Sequence, residues 1–172
     1  GIVFYALAQL YFQTYTASTV IQYTNEEAAN GFAPDQTAIN PTEMKDSNIV
    51  SAALNNLDMS GENMDSIRAN LDVEPIISEE EQALMESKVE LGEEYTVNAT
   101  EYLVSLSSDV FNGKEYPRKI LNEILDEYIS YYGKNHVNTT SGINDINDIY
   151  SKGYDYIEMT EVIDASLATV QD

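Results

Sequence analysis

Tyr102–Tyr132, YLVSLSSDVFNGKEYPRKILNEILDEYISYY, is the stretch that decides the fold. It reads as a strand, a turn and a long amphipathic helix. Leu103, Ser105 and Ser107 alternate with Tyr102, Val104, Leu106 and Ser108, a two-residue period among good strand formers. Asn112-Gly113 marks the turn. Pro117 belongs at a helix start, where a missing N–H costs no intrahelical bond. Ile120, Leu121, Ile124, Leu125, Tyr128 and Tyr132 then follow helical spacing, with Asn122, Glu123, Asp126 and Glu127 on the opposite face. Gly133 is the expected stop. Leu103 and Leu106 fall on opposite strand faces, so a bulge or burial on both faces is expected.

Working back toward the N-terminus, Ala17–Tyr23 (ASTVIQY) is rich in β-branched residues and reads as the first strand. Asn25–Pro41 is a loop broken by Gly31, Pro34 and Pro41; its acids lack the ligand alternation of a calcium loop. Asn40-Pro41-Thr42-Glu43 opens a helix, with Asn40 as N-cap and Glu43 as its capping-box partner, carrying Ile49, Val50, Ala53, Leu54 and Leu57. A second helix, Asn63–Leu71, aligns Met64, Ile67 and Leu71. Val73–Ile77 reads as a short strand that Pro75 confines to an edge. Ser78–Tyr95 begins with a capping box, Ser78 and Glu81, and reads as an exposed acidic helix or an insertion between strands. Thr96–Val110 is the strand region of the opening stretch.

Toward the C-terminus, His136–Ser141 is polar and turn-like, and His136 reads as a solvated side chain. Ile143, Ile146, Ile149, Tyr150, Gly153, Tyr154 and Ile157 form a helical stripe that continues through Val162, Ile163, Leu167 and Val170. This predicts a long helix, the start of an extended arm.

The chain has 172 residues, enough for one domain with a proper core, and 43% of them are hydrophobic. There are 30 Asp+Glu against 8 Lys+Arg, a formal charge of −22, which argues against nucleic acid as a partner. The absence of Cys excludes disulfides, iron–sulfur clusters, thiolate zinc sites and cysteine nucleophiles. Thirteen Tyr stand against four Phe and no Trp. Tyr suits half-buried positions and surfaces that contact a saccharide or a partner.

Gly1–Phe12 is apolar except for Gln9, with Ile2, Val3, Phe4, Leu7, Leu10 and Phe12 as its membrane-anchoring side chains. It is shorter than the roughly 20 residues a span needs and reads as the outer end of a truncated N-terminal transmembrane helix. No Lys or Arg precedes Lys45, which argues that the chain beyond Phe12 lies on the extracytoplasmic side.

No nucleophile motif and no phosphate-cradling glycine loop is present. His136 is the sole histidine, which argues against a Ser–His–Asp triad. Asn144-Asp145 and Asn147-Asp148 read as the polar face of a helix rather than as metal ligands. Neither catalytic residues, nor a cofactor, nor a metal site is expected. A basic group departs from the acidic background: Lys114, Arg118 and Lys119 gather at the start of the long helix, where cations oppose the macrodipole. They either pair with the acids of Ser78–Tyr95 or meet a neighbouring subunit, with Glu79, Glu80 and Glu81 as the nearest dense acidic cluster.

The order of parts resembles the extracytoplasmic region of the polysaccharide co-polymerases, the Wzz-type chain-length determinants, in its Gram-positive-like form. The resemblance rests on an apolar run passing into YTASTVIQY (Tyr15–Tyr23), on MKDSNIVSAALNNL (Met44–Leu57), and on YLVSLSSDV followed by YPRKILNEILDEY. YDYIEMTEVIDASL (Tyr154–Leu167) is similar to the helix that begins the distal arm. The resemblance implies a non-enzymatic homo-oligomer of the cell membrane that sets surface-polysaccharide length together with a separate polymerase and the growing glycan. It implies an α+β fold, a small mixed β-sheet packed by helices. The expected division is 1–14, the end of the transmembrane helix; 15–137, the membrane-proximal domain; and 138–172, the start of the helical arm. The alternative is an extracytoplasmic ligand-sensing domain of a membrane signalling protein.

Overall fold

The computed structural model describes residues 13–137, 153–160, 163–164 and 168–169. The expected membrane segment therefore lies outside the described residues, as do Ile143, Ile146, Ile149 and both Asn-Asp pairs. Among the described residues no helix is long and apolar enough to cross a membrane.

In chain order, β1 (Gln13–Tyr23) leads through short 3-10 helices at Glu26–Asn30 and Pro41–Lys45 into α1 (Ser47–Asn56) and α2 (Met64–Ala69). Then come β2 (Leu71–Pro75), α3 (Glu79–Glu90), β3 (Glu101–Asp109), a 3-10 turn at Val110–Asn112 and α4 (Glu115–Asn135). Three short strands close the described chain: β4 (Ile157–Met159), β5 (Ile163–Asp164) and β6 (Ala168–Thr169). The fold is α+β.

The sheet has the order β2-β3-β1-β4, with β5 and β6 also paired to β1. Every observed pairing is antiparallel, so the expected mixed sheet is corrected to an antiparallel one. Register decides which side chains go inside. Ala17 and Thr19 face Leu106 and Val104, which in turn face Leu71 and Val73. These share one face, and Ile21 and Tyr23 extend it along β1, because side chains two apart on a strand point the same way. The pairing runs unbroken through Val20↔Leu103, so no bulge forms there; Leu106 is buried and Leu103 simply remains exposed.

Helix α4 lies across that face. Its expected stripe is buried in full, together with Pro117, Ile129 and Gly133. Each Leu or Ile taken out of water contributes about 1.5–3 kcal/mol before the entropy of ordering it is counted. Ile49, Val50, Ala53 and Leu54 of α1 complete the core. The amide of Asn56 clamps α1 to α4 by donating to Glu123 (3.0 Å) and Glu127 (2.5 Å). Gly133 does not end the helix, which runs on to Asn135. Gly133 is buried within the helix, and the core continues beyond its end at Val137.

Several boundaries differ from the sequence expectation. β1 starts at Gln13, so Gln13 and Thr14 belong to the sheet, paired with Thr169 and with Asp109 and Ala168. Asn40 caps only the short Pro41–Lys45 turn, accepting from the amide of Thr42, and α1 begins separately at Ser47. Asn63 is the cap of α2, which ends at Ala69. Leu71 leaves the helix and opens β2, where it is fully buried against Leu106. β2 is an edge strand, as Pro75 required. Ser78 caps α3 through the amide of Glu81 as expected, and no residue of α3 is buried.

The largest correction concerns the C-terminal segment. Residues 153–156 are helical, but the chain then becomes extended, and β4, β5 and β6 pair in succession along the edge of β1 not taken by β3. The expected helix through Ile157, Ile163 and beyond is therefore not a helix in its described part. Thr160 seals the junction between β4 and β5: its amide donates to the Val20 carbonyl, and its own carbonyl accepts from the Thr19 hydroxyl at 2.6 Å. The otherwise unpaired N–H and C=O groups of β1 supply the driving force.

Candidate functional site

A cleft of about 390 Å³ opens at the end of the sheet where β3 runs out. Two stretches far apart in sequence make it: helix α2 with the residues before it, and the polar tail of β3 with the turn that follows into α4. Asp109 caps that turn by accepting from the amide of Phe111 at 2.9 Å. Gly113, at φ +89°, then redirects the chain through a conformation that side chains disfavour. This swing brings Tyr116 across the cleft, where its hydroxyl donates to Glu62 at 3.0 Å. The phenol is pushed up to about 12, by burial first and then by the hydrogen bond to, and charge of, Glu62.

Ile67 and Leu106 form a buried apolar floor. The walls are amides and hydroxyls. Asn70 donates to the carbonyl of Ser66 at 2.8 Å, Asn112 donates to Ser108 at 3.3 Å, and Ser107 shares a 2.9 Å hydroxyl contact with Thr16. Among the described residues no Lys or Arg lines it, and the carboxylates in that lining are Glu62 and Asp109. Local sequence patterns conceal this site, because its parts look like ordinary turn and strand-end residues. The one local signal is the polar run Ser107-Ser108-Asp109 before Asn112-Gly113.

A second polar centre sits at the opposite end of α4. His136 is not solvated: its side chain is 13% exposed and lies between two elements of the N-terminal half. Nε2 is 2.9 Å from Glu43, and Nδ1 is 2.9 Å from the hydroxyl of Thr37. That hydroxyl's one proton goes to Asp35 at 2.5 Å. Glu43 thus holds His136 instead of boxing the Asn40 cap. Asp35 adds a backbone bond to the His136 carbonyl at 3.1 Å. Tyr131 meets the ring edge-on at 5.9 Å and Tyr132 packs tilted against it at 5.4 Å. The long loop is thereby fastened to α4.

The residues expected at a subunit contact fall at two separate places. Lys114, Arg118 and Lys119 stand at the start of α4, beyond the end of β3. Glu79, Glu80 and Glu81 are exposed at the start of α3, before β3 begins, and Glu81 lines another cleft of about 410 Å³. The length of β3 separates the two groups, on the order of 25 Å at about 3.4 Å per residue. The chain matches no protein family, no curated protein and no solved structure.

Proposed function

We propose that this chain is the extracytoplasmic part of a membrane-anchored, non-enzymatic regulator of surface-polysaccharide chain length. It works as a homo-oligomer in the cell membrane, beside a separate polymerase and its growing glycan. One observation carries the reading beyond the resemblance of Tyr15–Tyr23, Met44–Leu57 and Tyr102–Tyr132. β6 pairs Ala168 with Thr14 and Thr169 with Gln13, so the C-terminal segment returns to the point where the apolar Gly1–Phe12 run enters β1. The start of β1 and β6 thus lie side by side at one end of the sheet, which supports membrane attachment at that end. Within the assembly, Lys114, Arg118 and Lys119 of one subunit meet Glu79, Glu80 and Glu81 of the next.

The test is deletion of the full-length gene followed by sizing of the surface glycan on a gel. An altered length distribution, restored by the gene in trans, is expected; an unchanged distribution removes the reading.

A glycan-cleaving enzyme is the second reading, favoured by Glu62 and Asp109 lining one cleft. Both are exposed, whereas a general acid of this chemistry needs a sheltered carboxyl. Release of new reducing ends from the glycan by purified protein, abolished in Glu62→Gln and Asp109→Asn, would establish it instead.

A further inference from the structure

We infer that the cleft bounded by α2, the end of β3 and the start of α4 is a binding site for a neutral saccharide. This rests on the proposed role in polysaccharide assembly and names where the chain touches the glycan.

The lining points to the ligand. A volume of about 390 Å³ lies within the roughly 300–1,000 Å³ of small-molecule sites. Most such sites are chiefly apolar, and this one is not. Its walls carry hydroxyls (Ser66, Ser107, Ser108) and amides (Asn70, Asn112) over the small apolar floor. Hydroxyls and amides both donate and accept, the match required by a ligand whose every position is itself a hydroxyl. In Asn70 and Asn112 the NH₂ group is engaged by the protein, which leaves each Oδ1 to accept from a ligand hydroxyl.

The electrostatics narrow the class. With two carboxylates and no cation among the described lining residues, phosphate, sulfate and uronate groups are repelled, while neutral sugar hydroxyls gain carboxylate acceptors, the stronger kind of hydrogen bond. Held by Glu62, the Tyr116 ring is fixed at the wall as a rigid platform, and an ordered aromatic loses little entropy on binding.

The experiment uses the full-length protein in detergent and oligosaccharides cut from the surface glycan of the cells that make it, separated by charge. Calorimetry is run on wild type, on Ser66→Ala with Asn112→Ala, and on Tyr116→Phe; circular dichroism checks the fold. Ser66 and Asn112 are exposed, so truncating them leaves the core untouched. Saturable binding of neutral fragments is expected, weakened ~10-fold or more (about 1.4 kcal/mol) by the double variant. Tyr116→Phe should weaken it less, because the platform stays and only its anchor goes. Absence of binding, binding indifferent to the double variant, or preference for acidic fragments overturns the inference. Loss of binding with glycan length still gene-dependent defeats the site alone; binding without gene-dependent length defeats the length-control reading alone.

Discussion

The hydroxyls of Tyr23 on β1 and Tyr128 on α4 lie 2.6 Å apart inside the core, so the sheet and its covering helix are joined by one buried hydrogen bond. Tyr132 packs against both rings, at 5.5 Å from Tyr23 and 6.3 Å from Tyr128, and Tyr102 meets Tyr23 edge-on at 5.9 Å. The tyrosine excess of the composition thus serves, in part, a buried aromatic joint between β1 and α4.

Truncating one hydroxyl of that pair leaves the other buried without a partner. Tyr23→Phe and Tyr128→Phe should each cost about 1–3 kcal/mol, while the double variant should cost no more than either single. Urea unfolding of the four proteins measures the cycle, and additive single effects would show that the pair is not coupled. Tyr132 is the internal control, since its hydroxyl is buried without a hydrogen-bond partner. Tyr132→Phe should be neutral or stabilising.

Alkaline pH should loosen the same joint. Burial is the first cause that raises the phenols of Tyr23, Tyr128 and Tyr132 above their ordinary value of 10. The folded state then keeps protons that the unfolded chain releases. Stability is fully present below about pH 10 and falls as pH rises above it, by up to about 1.4 kcal/mol per pH unit per tyrosine. Urea midpoints between pH 8 and pH 11.5, alongside phenolate absorbance, check the sign; a flat midpoint above pH 10 would contradict it.

Gly153 marks where the C-terminal segment crosses α4. A Cβ there would lie 2.0 Å from the carbonyl oxygen of Ile129, a backbone atom that cannot swing aside. Beside it, Tyr154 donates to Asp126 of α4. Gly153→Ala should therefore push residues 153–156 off the helix and cost about 1–3 kcal/mol or more. Faster amide exchange in Ile157–Met159, with α1 and α4 still protected, is the expected signature.

His136→Ala removes the fastening of the loop to α4. Glu43 loses its side-chain partner, while Asp35 and Thr37 keep their bonds to each other, so the loss should be about 1–3 kcal/mol. Proteolysis should move to the Gly31–Asn40 region, whereas an unchanged cleavage pattern would show that backbone bonds alone hold the loop.

For the assembly, relief of repulsion between subunits of charge −22 should outweigh the screening of local contacts as salt rises. Sedimentation of the full-length protein should show stronger association from low to moderate salt. Charge reversal at Arg118 and Lys119 should weaken association without unfolding the monomer. Dissociation on adding salt, or indifference to the reversal, would defeat the proposed contact.

Ser78 before α3, the stripe of α4, the edge position of β2 and the strand character of Val20–Tyr23 and Tyr102–Leu106 were legible in the sequence. Each depends on residues within a few positions of one another, where side-chain period and capping chemistry act directly. The C-terminal segment was not legible. Ile157 and Ile163 suit a helical stripe as well as a strand, and β1 settled the matter by presenting unpaired backbone groups along its second edge. His136 looked solvated because Glu43 and Thr37, its partners, lie more than ninety residues away along the chain. The cleft likewise exists only once α2, the end of β3 and Tyr116 converge. Local periodicity determined which faces are apolar; long-range pairing, which no local period encodes, decided what those faces and the polar strand ends would meet.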